Sequence, residues 1–395
     1  MKSRTIGYLV FFALTLLIAE VFYFAGASAW RIWNIPTLQP SFVDARILTA
    51  SAESYRLGFD PESNNPRDPY RRLFNLPALW KVLFLTPLKQ SETAAIAGFC
   101  IACYWVSVLI FLSRIELTSF WVVTLAGFTP PAMLAIERGN VDLLIFFSCI
   151  MVLLASEVSG ASTSLLLILA SALKLYPIFG IVTLFKFDRR SFVRFSFFAL
   201  ITSGIIFAFD IPNLRHVFEN TEVGSDLSFG SGVLPLYVQA VSGSHQLYLL
   251  AGLLANLVIF SIFLAGLFFA GRVNANVPVS NPFQLSAFRL GAGIYVGTFI
   301  LSSNWDYRLI FLIFTLPQLV EWMKKNPVAK FTLYFVLLSL VYLWVTLVSP
   351  LAYLLDEFSN WIVFAGMLYL LMISLPDWAK EELAAFSRKY RRQSV

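Results

Sequence analysis

Charge is what this 395-residue chain has least of. Asp, Glu, Lys and Arg make up 13% of it, while 58% is hydrophobic. That is about half the charge share of an ordinary soluble domain. A water-soluble globule of this length needs more polar surface, so soluble enzymes, nucleic-acid-binding domains and disordered chains are disfavoured together. Histidine occurs twice and cysteine three times, too few thiols for a disulfide framework. Cys100 and Cys103 have C-x-x-C spacing, but lie in the apolar run A-G-F-C-I-A-C-Y-W with no other Cys or His nearby. They read as buried thiols rather than a redox or zinc pair, and so does Cys149. The net charge of +6 carries no nucleic-acid signal until its placement is known.

What the chain has in excess is apolar runs near the about 20 residues that a membrane span requires. The first is Ile6–Gly26, preceded by Lys2 and Arg4. Ala27-Ser28-Ala29 resembles a signal-peptidase site, but a leader's apolar region is only about 7–15 residues, which favours an uncleaved first helix. Glu20 inside it is then expected to face protein near the outer end. Further runs lie at 93–113, 118–135, 141–156, 163–186, 192–210, 246–271, 285–302, 308–322, 329–349 and 359–375. The 163–186 run carries Lys174, Tyr176 and Pro177 at its middle, where the proline removes a helix hydrogen bond. It reads as two short helices, down and back, bent at Lys174-Leu175-Tyr176-Pro177. Broken helices at membrane depth are tolerated where they line a polar cavity.

The expectation is an all-α polytopic integral membrane protein, one domain over 1–395, with about twelve transmembrane helices and both termini cytoplasmic. The basic residues sort accordingly. Lys2, Arg4, Arg114, the Lys186/Arg189/Arg190/Arg194 group, Arg272, Arg289, Lys324, Lys325, Lys330 and the 376–395 tail fall inside. Short outer loops hold only Arg138, Lys174, Arg215 and Arg308. The long first outer loop, 28–91, holds seven of the eighteen prolines, and Val43–Arg56 and Leu73–Leu85 within it read as amphipathic helices on the membrane surface. No internal repeat is visible, which speaks against a repeat-built transporter.

Polar residues gather in four places that this topology puts on one side: the first loop, A-I-E-R-G-N-V-D-L at 135–143, the bend at Lys174, and S-S-N-W-D-Y-R at 302–308. Any one of them could simply mark an interface. Lys174 is harder to dismiss, because an ionisable group inside an apolar stretch is a functional hypothesis by default. Together they point to a shared outward-facing cavity.

Four segments carry a resemblance. E-R-G-N-V-D-L-L at 137–144, A-L-K-L-Y-P-I at 172–178, F-N-L-P-A-L-W at 74–80 and N-W-D-Y-R-L-I-F at 304–311 resemble the motifs of glycosyltransferase family 87. These are membrane enzymes of the GT-C class, whose best-known members are polyprenol-phosphate-mannose-dependent mannosyltransferases. The likeness spans roughly residues 1–320. The family's F-N-Y-P-P is F-N-L-P-A here, a departure that touches no charged position. The resemblance implies the GT-C fold and a catalytic acid in the first outer loop, opening an amphipathic helix upstream of F-N-x-P. Asp44 occupies that place. Asp60 and Asp68, each close before a proline, remain alternatives and look more like turn residues.

The implied chemistry is an inverting displacement. An acceptor hydroxyl attacks the anomeric carbon, a carboxylate takes its proton, and a polyprenyl phosphate leaves. The leaving phosphate needs cations or hydrogen-bond donors. Lys174, Arg308 and Arg138 are the outer-face cations near the motifs, with Tyr176 and Asn140 as further donors. Glu137, Asp142 and Asp306 are expected to orient the cations rather than act as bases. His216 and His245, in or beside the 211–245 loop, could assist Asp44 or simply be solvated. No cofactor is expected, and no carboxylate cluster at metal-binding spacing stands out, so the expected mechanism is metal-independent.

The expected activity is transfer of one sugar, a mannose-like hexose, from a polyprenyl-phosphate donor to a lipid or glycan acceptor. It takes place on the outer face of the plasma (inner) membrane, with no nucleic-acid partner. Two rivals stand beside it. A transporter or flippase for a lipid-linked or anionic solute would use the same cations. A polysaccharide polymerase or ligase would want its large loop later in the chain.

Overall fold

A computed structural model describes residues 2–221, 223–224, 227–270, 280–346 and 351–383. Arg272 and the basic tail from residue 384 onward lie outside the described residues. The chain is an all-α membrane protein. Among the described residues one sheet pairs β1 (Ser228–Phe229) with β2 (Asn304–Trp305), antiparallel.

α1 (Lys2–Ala25) runs into a 3-10 segment, Gly26–Trp33. Glu20 is exposed rather than turned toward protein. It stands close to the C-terminal end of α1, where a long side chain can reach the polar interface. α2 (Val43–Arg56) has the expected bounds, but the second loop helix is shorter than expected, a 3-10 turn over Ala78–Leu85. Pro77 is its extended N-cap and closes off helix upstream. The 28–91 segment has its own small core of Ile47, Leu48, Ala52, Phe74, Leu76, Phe84 and Val141. It is a folded layer, with part of its core supplied by a residue outside the loop.

α3 (Thr93–Arg114) is followed by α4 (Leu117–Ala126) and α5 (Pro130–Arg138), which the sequence suggested as one span. They are bent by 48° at the break. Pro130 and Pro131 open α5 at positions where missing N–H groups cost nothing. α6 (Asp142–Ser156) and α7 (Gly160–Leu173) come next, the latter capped by Ser159 Oγ accepting from the Ser162 amide at 3.1 Å. The expected break then appears. Lys174 is extended, and a 3-10 stretch covers Tyr176–Lys186.

α8 (Arg189–Phe209), α9 (Ile211–Asn220), α10 (Val233–Ser242) and α11 (His245–Ala270) precede α12 (Pro282–Ile300). A 3-10 stretch at Asp306–Thr315 leads into α13 (Leu316–Trp322), then α14 (Pro327–Thr346) and α15 (Leu351–Ile373). α12 is the axis of the fold, buried from Phe283 to Phe299. A Cβ at Gly291 would sit 2.6 Å from the Phe311 carbonyl, and one at Gly293 2.6 Å from that of Phe179. Small residues on α12 therefore admit both 3-10 stretches at backbone distance. Runs of 3-10 helix this long are unusual. Tyr176 opens the first and Arg308 lies in the first turn of the second.

Six described helical stretches are long and apolar enough to cross a membrane, or seven if the bent pair is one span. α1, α8 and α11 expose Leu9, Leu16, Phe197, Leu200, Leu253 and Leu257 among many other apolar side chains, a surface suited to lipid rather than water. The three cysteines are free, with Cys100 and Cys149 buried.

Candidate functional site

The site is built around Asp142, the first residue of α6, whose side chain is 0% exposed. Gly139 ends α5 in the left-handed conformation, φ +60°. A Cβ there would lie 2.8 Å from that of Ala97 and 3.1 Å from that of Phe42. Only glycine lets α2 and α3 approach this turn. Asn140 follows and accepts the Asp142 N–H on Oδ1 at 2.8 Å. This is the physical content of E-R-G-N-V-D: an αL stop, a close approach, and an Asx turn that starts the next helix.

Three side chains from two distant segments converge on Asp142. Lys174 Nζ donates to Oδ1. Tyr176 Oη donates to the same oxygen at 2.9 Å. Arg308 Nε lies 3.4 Å from Oδ2, an ion pair without hydrogen-bond alignment. Arg308 Nη1 also donates to Asn304 Oδ1, and its guanidinium stands 5.1 Å over the Tyr176 ring. Lys174 Nζ is 5.8 Å over the ring of Tyr307. Two cations against one carboxylate leave a net charge of +1. The acid is closed off while the Lys174 and Arg308 side chains keep 11% and 19% exposure, so the positive charge is the part within reach.

Asn140 joins this cluster to Asp44. Its Nδ2 donates to Asp44 Oδ2 at 2.6 Å, while its Oδ1 holds the N-terminus of α6. Asp44 opens α2 behind Phe42, which is itself left-handed with φ 59°. Arg72 Nη1 approaches Asp44 Oδ1 at 3.4 Å and Arg72 Nη2 donates to the Val43 carbonyl at 2.5 Å. Asp44 keeps 26% of its side chain exposed. A carboxylate has about four acceptor positions, so these partners do not fill it. The far end of α2 is tied down through Glu53, which accepts from the Gln90 amide at 3.1 Å and from Arg67. Burial pushes that carboxyl upward, but Gln90, Arg67 and Arg56 outweigh it and hold it below the ordinary carboxylate range.

Asp60 and Asp68 are turn residues, as their positions before prolines suggested. Asp60 Oδ1 accepts the Glu62 amide at 3.1 Å. Asp68 is buried, takes the amides of Tyr70 and Arg72, and pairs with the Arg72 guanidinium at 2.8 Å. The F-N-L-P-A-L-W motif is scaffolding. Trp80 Nε1 donates to the Leu173 carbonyl at 2.8 Å, beside Lys174, and the Ala78 amide donates to Asp210 Oδ2 at 3.2 Å. Asn213 on α9 holds the Leu76 carbonyl at 3.3 Å. The four polar segments singled out in the sequence do converge, and α9 joins them.

Two placements differ from expectation. Arg138 is not in the cation cluster: its guanidinium lies 3.3 Å from Glu137 Oε2 and donates to the Pro36 carbonyl at 3.3 Å. Glu137 in turn accepts the Leu38 amide at 3.1 Å, so this pair clamps the chain after α1. Asp306 does not orient Arg308. Its carboxyl sits with Asp356 and Glu357 of α15, while its amide donates to the Leu227 carbonyl at 2.8 Å. Residues two apart in this segment face opposite ways.

Arg72, Tyr307, Asp210 and Asn213 were not anticipated. Arg72 was hidden among the charges of a long loop, Tyr307 lay unnamed inside the N-W-D-Y-R segment, and Asp210 and Asn213 carry no local signal. His216 bonds to Asn220 at 3.1 Å and His245 stacks on Tyr248, both apart from the contacts of Asp44. Among the described residues no group of three or more His, Cys, Asp and Glu side chains is arranged to hold a metal ion. Comparison with family models, curated proteins and solved structures finds no match for this chain. The likeness to glycosyltransferase family 87 therefore stands on the four motifs alone.

Proposed function

We propose that the protein is a membrane glycosyltransferase moving one sugar, a mannose-like hexose, from a polyprenyl-phosphate carrier to an acceptor hydroxyl, with inversion. The reading sets the site on the outer face of the plasma membrane, with about twelve crossings in a GT-C-like fold and both termini cytoplasmic. The observation that carries it is the adjacency, through one asparagine, of an open carboxylate and a buried site with one excess positive charge.

Asp44 takes the proton of the acceptor hydroxyl as its oxygen attacks the anomeric carbon. The bond from that carbon to the phosphate oxygen breaks, and the phosphate gains charge as it leaves. Lys174 and Arg308, preset by Asp142, receive that charge where little water screens it. Tyr176 keeps the shared oxygen of Asp142 occupied and holds both cations in register. Arg138 serves this reading only as part of the clamp around Pro36.

The test is transfer in vitro from a polyprenyl-phosphate sugar by purified protein. Asp44→Asn should fold normally and lose about 10²–10⁴-fold in rate, the usual worth of a general base. Full activity in that variant removes Asp44 from the role. The cation pair also suits a flippase, and movement of a lipid-linked sugar in proteoliposomes without a covalent product would favour that second reading. Glycolipids and glycans of a deletion strain, one sugar short by mass spectrometry, would favour the transferase.

A further inference from the structure

A cavity of about 340 Å³ lies between α10, α11 and the chain leaving α12. Its character is opposite to that of the cation site. Ser231, Gly232, Tyr248, Gly252, Asn256 and Ser302 give it its polar and open surfaces, and none of its lining residues is charged. Tyr248, Gly252 and Asn256 recur every fourth residue and form one stripe of α11. A Cβ at Gly252 would meet nothing within 4 Å, so the stripe has a gap between a ring and an amide.

Asn256 is the observation that asks for a ligand. It is the twelfth residue of the 26-residue α11, close to the middle of a helix long enough to span. The side chain is exposed and makes no hydrogen bond to any described residue. An amide in hydrocarbon without partners is costly. Across the cavity, Ser302 has φ 123°, a conformation that L-residues rarely adopt. Glycines let this strained turn close in: a Cβ at Gly230 would lie 1.9 Å from the Ser302 carbonyl oxygen, and one at Gly232 2.4 Å from its Oγ. At the upper end His245 stacks on Tyr248, with centroids 5.7 Å apart and planes at 20°.

We propose that this cavity binds the neutral sugar headgroup of a membrane glycolipid, whose chains lie along the exposed leucines of α11. An aromatic face with uncharged hydroxyl and amide groups suits a sugar ring, and a phosphate headgroup would find no cation there. The inference goes beyond the transferase reading and does not depend on it.

The test uses full-length protein in phosphatidylcholine nanodiscs containing equal amounts of diglucosyldiacylglycerol and phosphatidylglycerol, with retained lipids counted by native mass spectrometry. One diglucosyl lipid should be retained per chain in preference to phosphatidylglycerol. Asn256→Leu and Gly252→Leu are both compatible with a lipid-facing helix; the first should lower retention roughly fivefold or more, the loss expected of one or two uncharged hydrogen bonds, and the second should lower it by filling the gap in the stripe. Asp44→Asn should leave retention unchanged. Equal retention of phosphatidylglycerol, or retention indifferent to both α11 variants, overturns the proposal. Full transfer activity in Asp44→Asn with retention intact overturns the assignment of the base and leaves this site standing.

Discussion

Two buried charge clusters meet at the segment 304–308, and they are built on opposite principles. On one side Asp142 is enclosed by Lys174, Arg308 and Tyr176. On the other, Asp306 lies with Asp356 and Glu357, and among the described residues none of these three acids has a cationic partner. Glu357 accepts from Trp361 Nε1 at 2.9 Å, while Asp306 Oδ1 has no hydrogen-bond partner among the described residues. The first cluster holds its cations in place. The second crowds like groups in a low-dielectric setting, where mutual repulsion is strong. Residues two apart on one short stretch thus belong to two clusters of opposite character.

That contrast can be broken most severely at Asp142. Asp142→Ala leaves two cations buried without their anion, a change that should cost about 3–5 kcal/mol of stability. The loss would be read as a fall in unfolding temperature and in recovered monomer. Lys174→Gln keeps length and removes one charge. Because Arg308 still neutralises Asp142, the protein should remain folded while the apparent KM for the polyprenyl-phosphate donor rises roughly tenfold, the worth of about one charge-assisted hydrogen bond. An unchanged KM would separate the cluster from donor binding.

The acidic side should behave in the opposite sense. Asp356→Asn relieves like-charge crowding and should leave the unfolding temperature unchanged or slightly raised, whereas a large fall would reveal a cation held there. The smallest effect is expected at Glu53, far from both clusters. Its carboxyl is held below the ordinary 4.5, so its contribution is fully present above that value and fades as pH falls through the lowered one. Glu53→Gln should therefore lower the unfolding temperature a little at pH 7, with the gap to the parent closing on acidification.

Much of the scaffold was legible because its signals are local. Lys174 and Pro177 inside an apolar run forecast the break between α7 and the following 3-10 stretch, since proline and a buried charge act on their own few residues. Val43–Arg56 was bounded by its apolar period. The second loop helix starts later than its apolar residues suggest because Pro77 disfavours helix at Leu76. Asp44, Asn140, Asp142, Lys174, Tyr176 and Arg308 were legible as a group, but Arg72 was missed, Arg138 and Asp306 belong elsewhere, and the wiring was not legible. Asn140 was expected as a hydrogen-bond donor, yet its bridging of Asp44 and Asp142 depends on α2 lying across the α5–α6 turn. Asp306 and Arg308 looked like a neutralising pair because they are close in sequence. The backbone sends them to different neighbours.

The amino-acid sequence by itself determined that this is a helical membrane protein, where its helices break, and which few charged residues stand out against an apolar background. Those properties follow from composition, period and the backbone limits of proline and glycine, which act over a handful of residues. Only the tertiary structure decided that Asp142, not Asp306, holds Arg308, that Arg138 clamps a loop, and that Arg72 stands beside Asp44. Partner choice across 28 to 166 residues of chain is set by which backbones can approach, and Gly291 and Gly293 of α12 allow that approach for the two 3-10 stretches that carry Arg308 and Tyr176.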